Sequence, residues 1–194
     1  MDKKTNNVLI KNVSVELEQE YLNLLRKSFF LCKENIKIIV EDIKQNKYPN
    51  KEKVQEYRDL VTKYTDYCKR IIVKNQKQKD YEMFAYLIVW NLEKMSNEFN
   101  YLYRYLADFQ PKVDKNTVKH LAMSFRMFEQ IMEHYFKKDV SYLRLFSKVK
   151  DQFMYKELEK LLHSKKLNPN IMHRVANIVR RCNDIMGPFC GRYL

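Results

Sequence analysis

The sequence predicts an all-α protein of six antiparallel helices, arranged as two tandem three-helix bundles. Its first glycine is Gly187. Glycine supplies the positive-φ corners of tight hairpins and the open backbone of phosphate-binding loops, so hairpin-rich and dinucleotide-binding folds are disfavoured. Before that point the prolines Pro49, Pro111 and Pro169 stand about 60 residues apart and leave room for long unbroken helices.

Periodic apolar residues predict three helices in the first half of the chain. They cover about 14–45, 54–73 and 80–108, and Ser14 and Asp80 are suitable N-cap residues for the first and third. Their apolar stripes are Tyr21, Leu25, Phe29, Cys32, Ile36, Ile39 and Ile43, then Val54, Tyr57, Val61, Tyr64, Cys68 and Ile71, then Phe84, Leu87, Ile88, Met95, Leu102, Leu106 and Phe109.

The second half repeats this plan with helices over about 114–137, 142–161 and 169–186. Asp114 is the predicted N-cap of the fourth helix, and Asn168 followed by proline predicts the start of the sixth. The apolar pattern runs on between the fourth and fifth helices without glycine or proline. We expect a turn there because a helix of nearly 50 residues would be unusual in a compact domain.

The two groups of three helices suggest duplication of a three-helix unit. The expected repeats are residues 1–110 and 111–194, forming one compact two-repeat protein. Their best local match pairs residues 89–93 with residues 179–183, late in the third helix of each half.

Composition favours a cytoplasmic protein without a membrane-spanning segment. The start of the chain lacks a signal-peptide core, and no run of 18 apolar residues occurs. The four cysteines form no CxxC pair, so Cys32, Cys68 and Cys182 are predicted to be small buried apolar residues of a reducing compartment.

The net charge of +13 has two interpretations. Lysines spread over solvated helix faces would account for it, since only short basic clusters occur. A surface for nucleic acid or another polyanion is the alternative, because Lys and Arg that neutralise phosphates release counterions.

A polar line on the third helix is the main candidate site. Glu93, Asn97, Asn100 and Arg104 follow one another at helical spacing and share one face. Oxygen ligands four residues apart can hold a cation, so Glu93 and Asn97 are candidate metal ligands. An ordinary solvated face with a contact between these two side chains is the alternative.

At residues 92–97, Leu-Glu-Lys-Met-Ser-Asn, the chain resembles the PhoU family of phosphate-uptake regulators, in particular its divergent archaeal members. The resemblance implies a six-helix PhoU-like fold and a surface iron or zinc site at Glu93 and Asn97, where Asn97 replaces the family's aspartate. In the second half Arg180, Arg181 and Cys182 match the residues that lead into the motif, whereas Asn183 and Gly187 stand at its carboxylate positions.

The same resemblance implies a cytoplasmic regulatory protein of phosphate homeostasis. It would modulate phosphate transport or phosphate signalling by binding transporter or sensor components, or a second copy of itself, without catalysing a reaction. No motif of a nucleophilic, zinc-protease or nucleotide-hydrolysing enzyme occurs in the chain.

Aromatic and basic residues at the end of the third helix form a second candidate site. Tyr101, Tyr103 and Tyr105 point in different directions around the helix and cannot all enter one core. They suggest a protein interface, a base-stacking surface for single-stranded nucleic acid, or half-buried helix packing. The candidate residues are Tyr101, Tyr103, Arg104, Tyr105, Arg180 and Arg181.

The four histidines give weaker signals. His120 and His134 share a helix face but lie about 21 Å apart, too far for one metal ion. His163 and His173 flank the Pro169 turn and could approach each other as a zinc pair.

The functional expectation from these observations together is a PhoU-like regulator, with a basic nucleic-acid-binding module as the alternative.

Overall fold

The structure, a computed structural model, describes residues 3–74, 79–163 and 167–193. This part of the chain is helical apart from short connections and contains no strand, which confirms the all-α prediction. The helices are α1 Lys3–Gln45, α2 Lys51–Lys74, α3 Lys79–Phe109, α4 Lys115–Lys137, α5 Leu143–Asp151, the π-helical segment Gln152–Glu157, α6 Leu158–His163 and α7 Pro169–Tyr193. The π-helical segment joins α5 to α6 without a break, so these three form one rod and the described residues form six rods in all.

α3 is the centre of the bundle. It packs most extensively on α7 and also on α2 and α1, while α4 packs on α7. The third helices of the two predicted repeats are therefore neighbours. Phe99 of α3 contacts Phe125 and Phe128 of α4 at 5.8 and 5.5 Å between ring centroids, and Phe29 of α1 contacts Phe128 at 5.8 Å. One hydrophobic core thus extends through both halves.

Two predicted N-caps and one predicted turn are present in the structure. Asp114 caps α4, and its carboxylate accepts from the backbone N–H groups of Asn116 and Thr117 at 2.8 and 3.1 Å. Asn168 caps α7 in the same way. The expected turn after α4 is present, with Lys138 in the left-handed conformation at φ 56°.

The predicted N-caps Ser14 and Asp80 do not begin their helices, and the end of α7 also differs from the prediction. α3 begins at Lys79, before Asp80. α1 already begins at Lys3, so Ser14 lies inside the helix; residues 3–13 contain no glycine or proline to stop it. α7 continues past Met186 to Tyr193 although Pro188 lies inside it. The predicted loop over 74–79 falls largely outside the described residues.

A side chain of α3 explains why α7 continues through Pro188. Proline has no N–H, so the carbonyl of Asp184, four residues earlier, loses its helical donor. The Nδ2 atom of Asn91 donates to that carbonyl at 3.2 Å and to the carbonyl of Leu87 at 3.0 Å. Asn91 is buried, so this contact removes the penalty of an unpaired carbonyl between the two helices.

The π-helical segment shifts the apolar phase of the fifth rod. Tyr142, Phe146 and Phe153 are buried along one face, and continued α spacing would next bury Glu157. Instead the N–H of Leu158 bonds to the carbonyl of Phe153, five residues earlier, and Leu158 enters the core. Glu157 stays half-exposed at the edge of the rod.

The predicted burial of three cysteines is confirmed. Cys32, Cys68 and Cys182 are fully buried and unpaired. Burial raises the pKa of the Cys32 and Cys68 thiols to about 12, and it raises the pKa of Cys182 as well. These groups are inert, neutral parts of the core at physiological pH.

Candidate functional site on the outer face of α3

Most of the predicted polar line of α3 faces α2, whereas Arg104 at its end is exposed. Three of its side chains each meet a polar side chain of α2, and together they form a polar seam between the two helices. From one end to the other, Lys69 donates to Glu93 at 2.5 Å, Arg58 donates to Asn97 at 2.7 Å, and Asn100 donates to Gln55 at 3.0 Å.

The pair at one end of the seam is largely buried. The side chains of Lys69 and Glu93 are each 14% exposed, and Lys69 also donates to Asp66 at 3.0 Å. Burial alone would lower the pKa of Lys69, but its hydrogen bonds to Glu93 and Asp66 outweigh this effect and raise the pKa. The ammonium group therefore stays charged and neutralises Glu93.

The residues present at this place do not fit an iron or zinc site. The oxygens of Glu93 and Asn97 already accept hydrogen bonds from cationic side chains, and the ammonium of Lys94 lies 3.8 Å from Glu93. Iron and zinc sites need several carboxylate, imidazole or thiolate ligands. Within residues 3–74, 79–163 and 167–193 no group of three such side chains is close enough to hold a metal ion.

The motif positions in α7 supply no carboxylate, and the two histidines of α4 already have other neighbours. In α7 the side chain of Asn183 is exposed, and Gly187 has none. His120 is buried against the ring of Phe153 at 5.6 Å, and His134 bonds to Asp139 at 2.8 Å. The predicted pair of His163 and His173 lies outside the described residues, because the side chain of His163 is not among them.

Trp90 lies beside the polar seam on the surface of α3. It is the only tryptophan of the chain and is 42% exposed. The ammonium groups of Lys94 and Lys69 lie 4.5 and 5.4 Å from its ring centroids. Met83 and Leu87, about two turns and one turn earlier on α3, are also exposed. An apolar stripe thus leads to a tryptophan between two cations.

A second exposed aromatic residue lies three turns further along α3. The ring of Tyr101 is 43% exposed, and the guanidinium of Arg174 from α7 lies 5.2 Å from its centroid. Arg174 also donates to the buried carboxylate of Glu98 at 3.3 Å, and Asn177 donates to the same oxygen at 3.4 Å. α7 therefore fixes one edge of this surface, as α2 fixes the other.

The expectation of a surface position is wrong for Tyr103. Its side chain is fully buried, and its hydroxyl donates to Asp42 and accepts from the backbone N–H of Asn50, the latter at 2.8 Å. Tyr103 follows Phe99 and Leu102 on the buried stripe of α3, so it ties the turn between α1 and α2 to the core.

The remaining candidates are exposed to different degrees. Arg104 and Arg180 are exposed, and Arg181 pairs with Asp184 at 3.2 Å. Tyr105 is half-buried, and its hydroxyl is bonded to the side-chain amide of Asn168 at the start of α7. Tyr105 therefore links α3 to the start of α7, while Arg104 lies on α3 and Arg180 and Arg181 lie on α7.

Most cations around this surface are already neutralised. Carboxylates pair with Arg58, Lys69, Lys94, Arg174 and Arg181. Arg104 and Arg180 have no ion pair with any other residue that the structure describes. We call the surface formed by Met83, Leu87, Trp90, Lys94, Tyr101 and Arg104 the outer face of α3.

Sequence reasoning did not select Trp90, although the sequence held a signal for it. Trp90, Lys94, Asn97, Tyr101 and Arg104 recur at steps of four, three, four and three residues, which places them on one side of a helix. Their partners on α2 and α7 follow only from the packing of the helices.

No protein-family model, curated protein or solved structure matches this chain. None of the described helices is both long and apolar enough to cross a membrane. The resemblance to the PhoU family stays a prediction.

Proposed function

We propose that this protein is a cytoplasmic regulatory protein that acts by binding a partner protein through the outer face of α3. In line with its resemblance to PhoU proteins, it would modulate phosphate transport or phosphate signalling without catalysing a reaction. The main observation behind the proposal is the exposed position of Trp90 and Tyr101 on α3, a helix packed against α2 and α7. Tryptophan, tyrosine and arginine are the residues that most often dominate binding energy at protein interfaces.

The charges of the outer face favour a protein over a polyanion. Five of the surrounding cations already have carboxylate partners, so the face presents aromatic rings framed by neutralised ions. Cations that already have carboxylate partners attract phosphate groups less, so this face suits a protein partner better than a polyanion. The close packing of α3 and α7 also agrees with a two-repeat PhoU-like arrangement.

Binding to purified cytoplasmic components of a phosphate transporter and to a phosphate-sensing kinase of the same organism tests this proposal. Trp90→Ala and Tyr101→Ala should each weaken binding at least tenfold, as loss of about 2 kcal/mol at an interface anchor implies. Tyr155→Ala is the matched control, since Tyr155 is 73% exposed but lies in the π-helical segment. Absence of binding to every component, or equal affinities for all three variants, would refute the proposal.

Nucleic-acid binding is the second candidate, supported by the net charge of +13, by exposed Arg104 one helical turn from Tyr101, and by exposed Arg180 on α7. A mobility-shift titration with single-stranded RNA and DNA at low and moderate salt tests it. Real binding should weaken steeply with salt and with Arg104→Ala. No shift, or a shift that salt does not change, would eliminate this candidate.

A further inference from the structure

A groove separates α4 from the rod formed by α5 and the π-helical segment. Two adjoining hollows of about 440 and 460 Å³ make it up, and they share the lining residues Lys119, Met123 and Val149. The groove lies on different helices from the outer face of α3, so nothing in the proposed function uses it.

Contacts between the two walls mark the ends of the groove. At one end the hydroxyl of Tyr142 donates to the side chain of Gln130, and at the other the ring of Phe153 lies 5.6 Å from that of His120. The π-helical segment brings Leu158 rather than Glu157 into the core, and Glu157 lies at the groove's end. Between these ends α4 and α5 do not close on each other.

The floor of the groove is apolar and adaptable. Met127 is buried, Met123 and Val149 are half-buried, and Leu145 is 54% exposed. Methionine side chains adjust to many apolar shapes, and methionine-lined grooves commonly take up amphipathic helices. Leu145 offers a large apolar contact that no other described element covers.

The rim of the groove is positively charged. Lys119, Arg126 and Lys148 line it, and none of these three has an ion pair with another described residue. Glu157 is the one carboxylate in the lining and lies at one end, so three cations face one anion. An occupant with acidic groups beside an apolar surface would therefore complement the groove.

The length of the groove indicates what kind of occupant it fits. It follows α4 from Lys119 to Gln130, which is about 16 Å at the rise of an α-helix. About three turns of a second helix would cover this length. We propose that the groove binds an acidic amphipathic helix of a partner protein, with its apolar face on Met123, Leu145 and Val149 and its carboxylates beside the rim cations.

Synthetic helical peptides test this inference with the full-length protein. One 14-residue peptide carries leucines at helical spacing flanked by glutamates, a second has lysine in place of each glutamate, and a third has the acidic sequence scrambled. Fluorescence anisotropy should show the acidic peptide binding at least tenfold more tightly than the other two. Its affinity should fall as salt rises, because ion pairs at the rim are screened.

Substitutions in the groove provide the controls. Leu145→Glu and Arg126→Glu should each weaken binding of the acidic peptide at least tenfold, whereas Tyr155→Glu should leave it unchanged. Leu145 and Arg126 are exposed, so circular dichroism and thermal melting should show both variants folded. Trp90→Ala should not affect the peptide, and this separates a failure here from a failure of the proposed function.

Three results would overturn the inference. Equal binding of the acidic and lysine peptides would show that the cations of the rim do not contribute to binding. Unchanged binding in the Leu145→Glu variant would place the peptide elsewhere. Self-association of the unmodified protein that Leu145→Glu abolishes, measured by size-exclusion chromatography with light scattering, would show that a second copy of the chain fills the groove.

Discussion

The contact between Asn91 and the carbonyl that Pro188 leaves free predicts a coupled effect on stability. Replacing Asn91 with Ala removes the Nδ2 donor that lies 3.2 Å from the Asp184 carbonyl. An unpaired buried carbonyl costs about 1–3 kcal/mol, so we expect Asn91→Ala to lower the free energy of unfolding by about 1.5 kcal/mol. For a domain of this size that loss lowers the Tm by about 3–6 °C.

A second substitution tests the physical reason. Pro188→Ala supplies the missing N–H, which would bond to the Asp184 carbonyl within α7. In that background Asn91→Ala should cost about 1 kcal/mol less, a coupling that a double-mutant cycle measures. Asn183→Ala is the matched control because Asn183 is exposed on α7 and should be close to neutral.

Urea denaturation followed by circular dichroism at 222 nm provides the free energies. Equal costs of Asn91→Ala in the two backgrounds would refute the argument, because the role of Asn91 would then be independent of the proline. A loss below that of Asn183→Ala would refute it as well.

Three further predictions concern the core and the polar seam. Lys69→Met leaves the largely buried carboxylate of Glu93 without its main partner and should lower the free energy of unfolding in urea by about 2–3 kcal/mol. The Lys69→Met/Glu93→Gln double variant should recover part of this loss, and no recovery would contradict the pairing. Gly191→Val places a Cβ 2.5 Å from the ring of Phe84 and should lower the free energy of unfolding by about 1–3 kcal/mol. Phe84→Ala should relieve this loss, and a Gly191→Val variant of unchanged stability would contradict the contact. At pH 8 a thiol whose pKa is about 12 is ionised in about one molecule in ten thousand. The native protein should therefore react rapidly with a thiol reagent only at half-buried Cys190, whereas urea should expose all four cysteines. Rapid reaction of two or more cysteines in the native state would contradict their burial.

The helical class could be predicted because its signals are local. Spacing of apolar residues, side-chain caps and the absence of glycine act within a few residues of one another, so the rods and the caps at Asp114 and Asn168 follow from the sequence. Pro188 misled the prediction of where α7 ends, because its effect depends on Asn91, a residue 97 positions earlier in the chain that α3 brings alongside.

The candidate site was less predictable because its character depends on packing between helices. Glu93 and Asn97 share a helix face as the spacing predicts, but only the position of α2 shows that Lys69 and Arg58 occupy their oxygens. Tyr103 could have been assigned to the core, since it follows Phe99 at a helical step of four. The groove beside α4 has no sequence signal, because it is a space between elements.

The fluorine NMR signal of Trp90 tests the central claim most directly. The chain has one tryptophan, so labelling with 5-fluorotryptophan gives one resonance that reports only on the outer face of α3, whatever tryptophans a partner contains. When a phosphate-transport or phosphate-sensing component forms a complex with the labelled protein, we expect this resonance to shift and broaden. A complex seen by size-exclusion chromatography with the resonance unchanged would contradict the account.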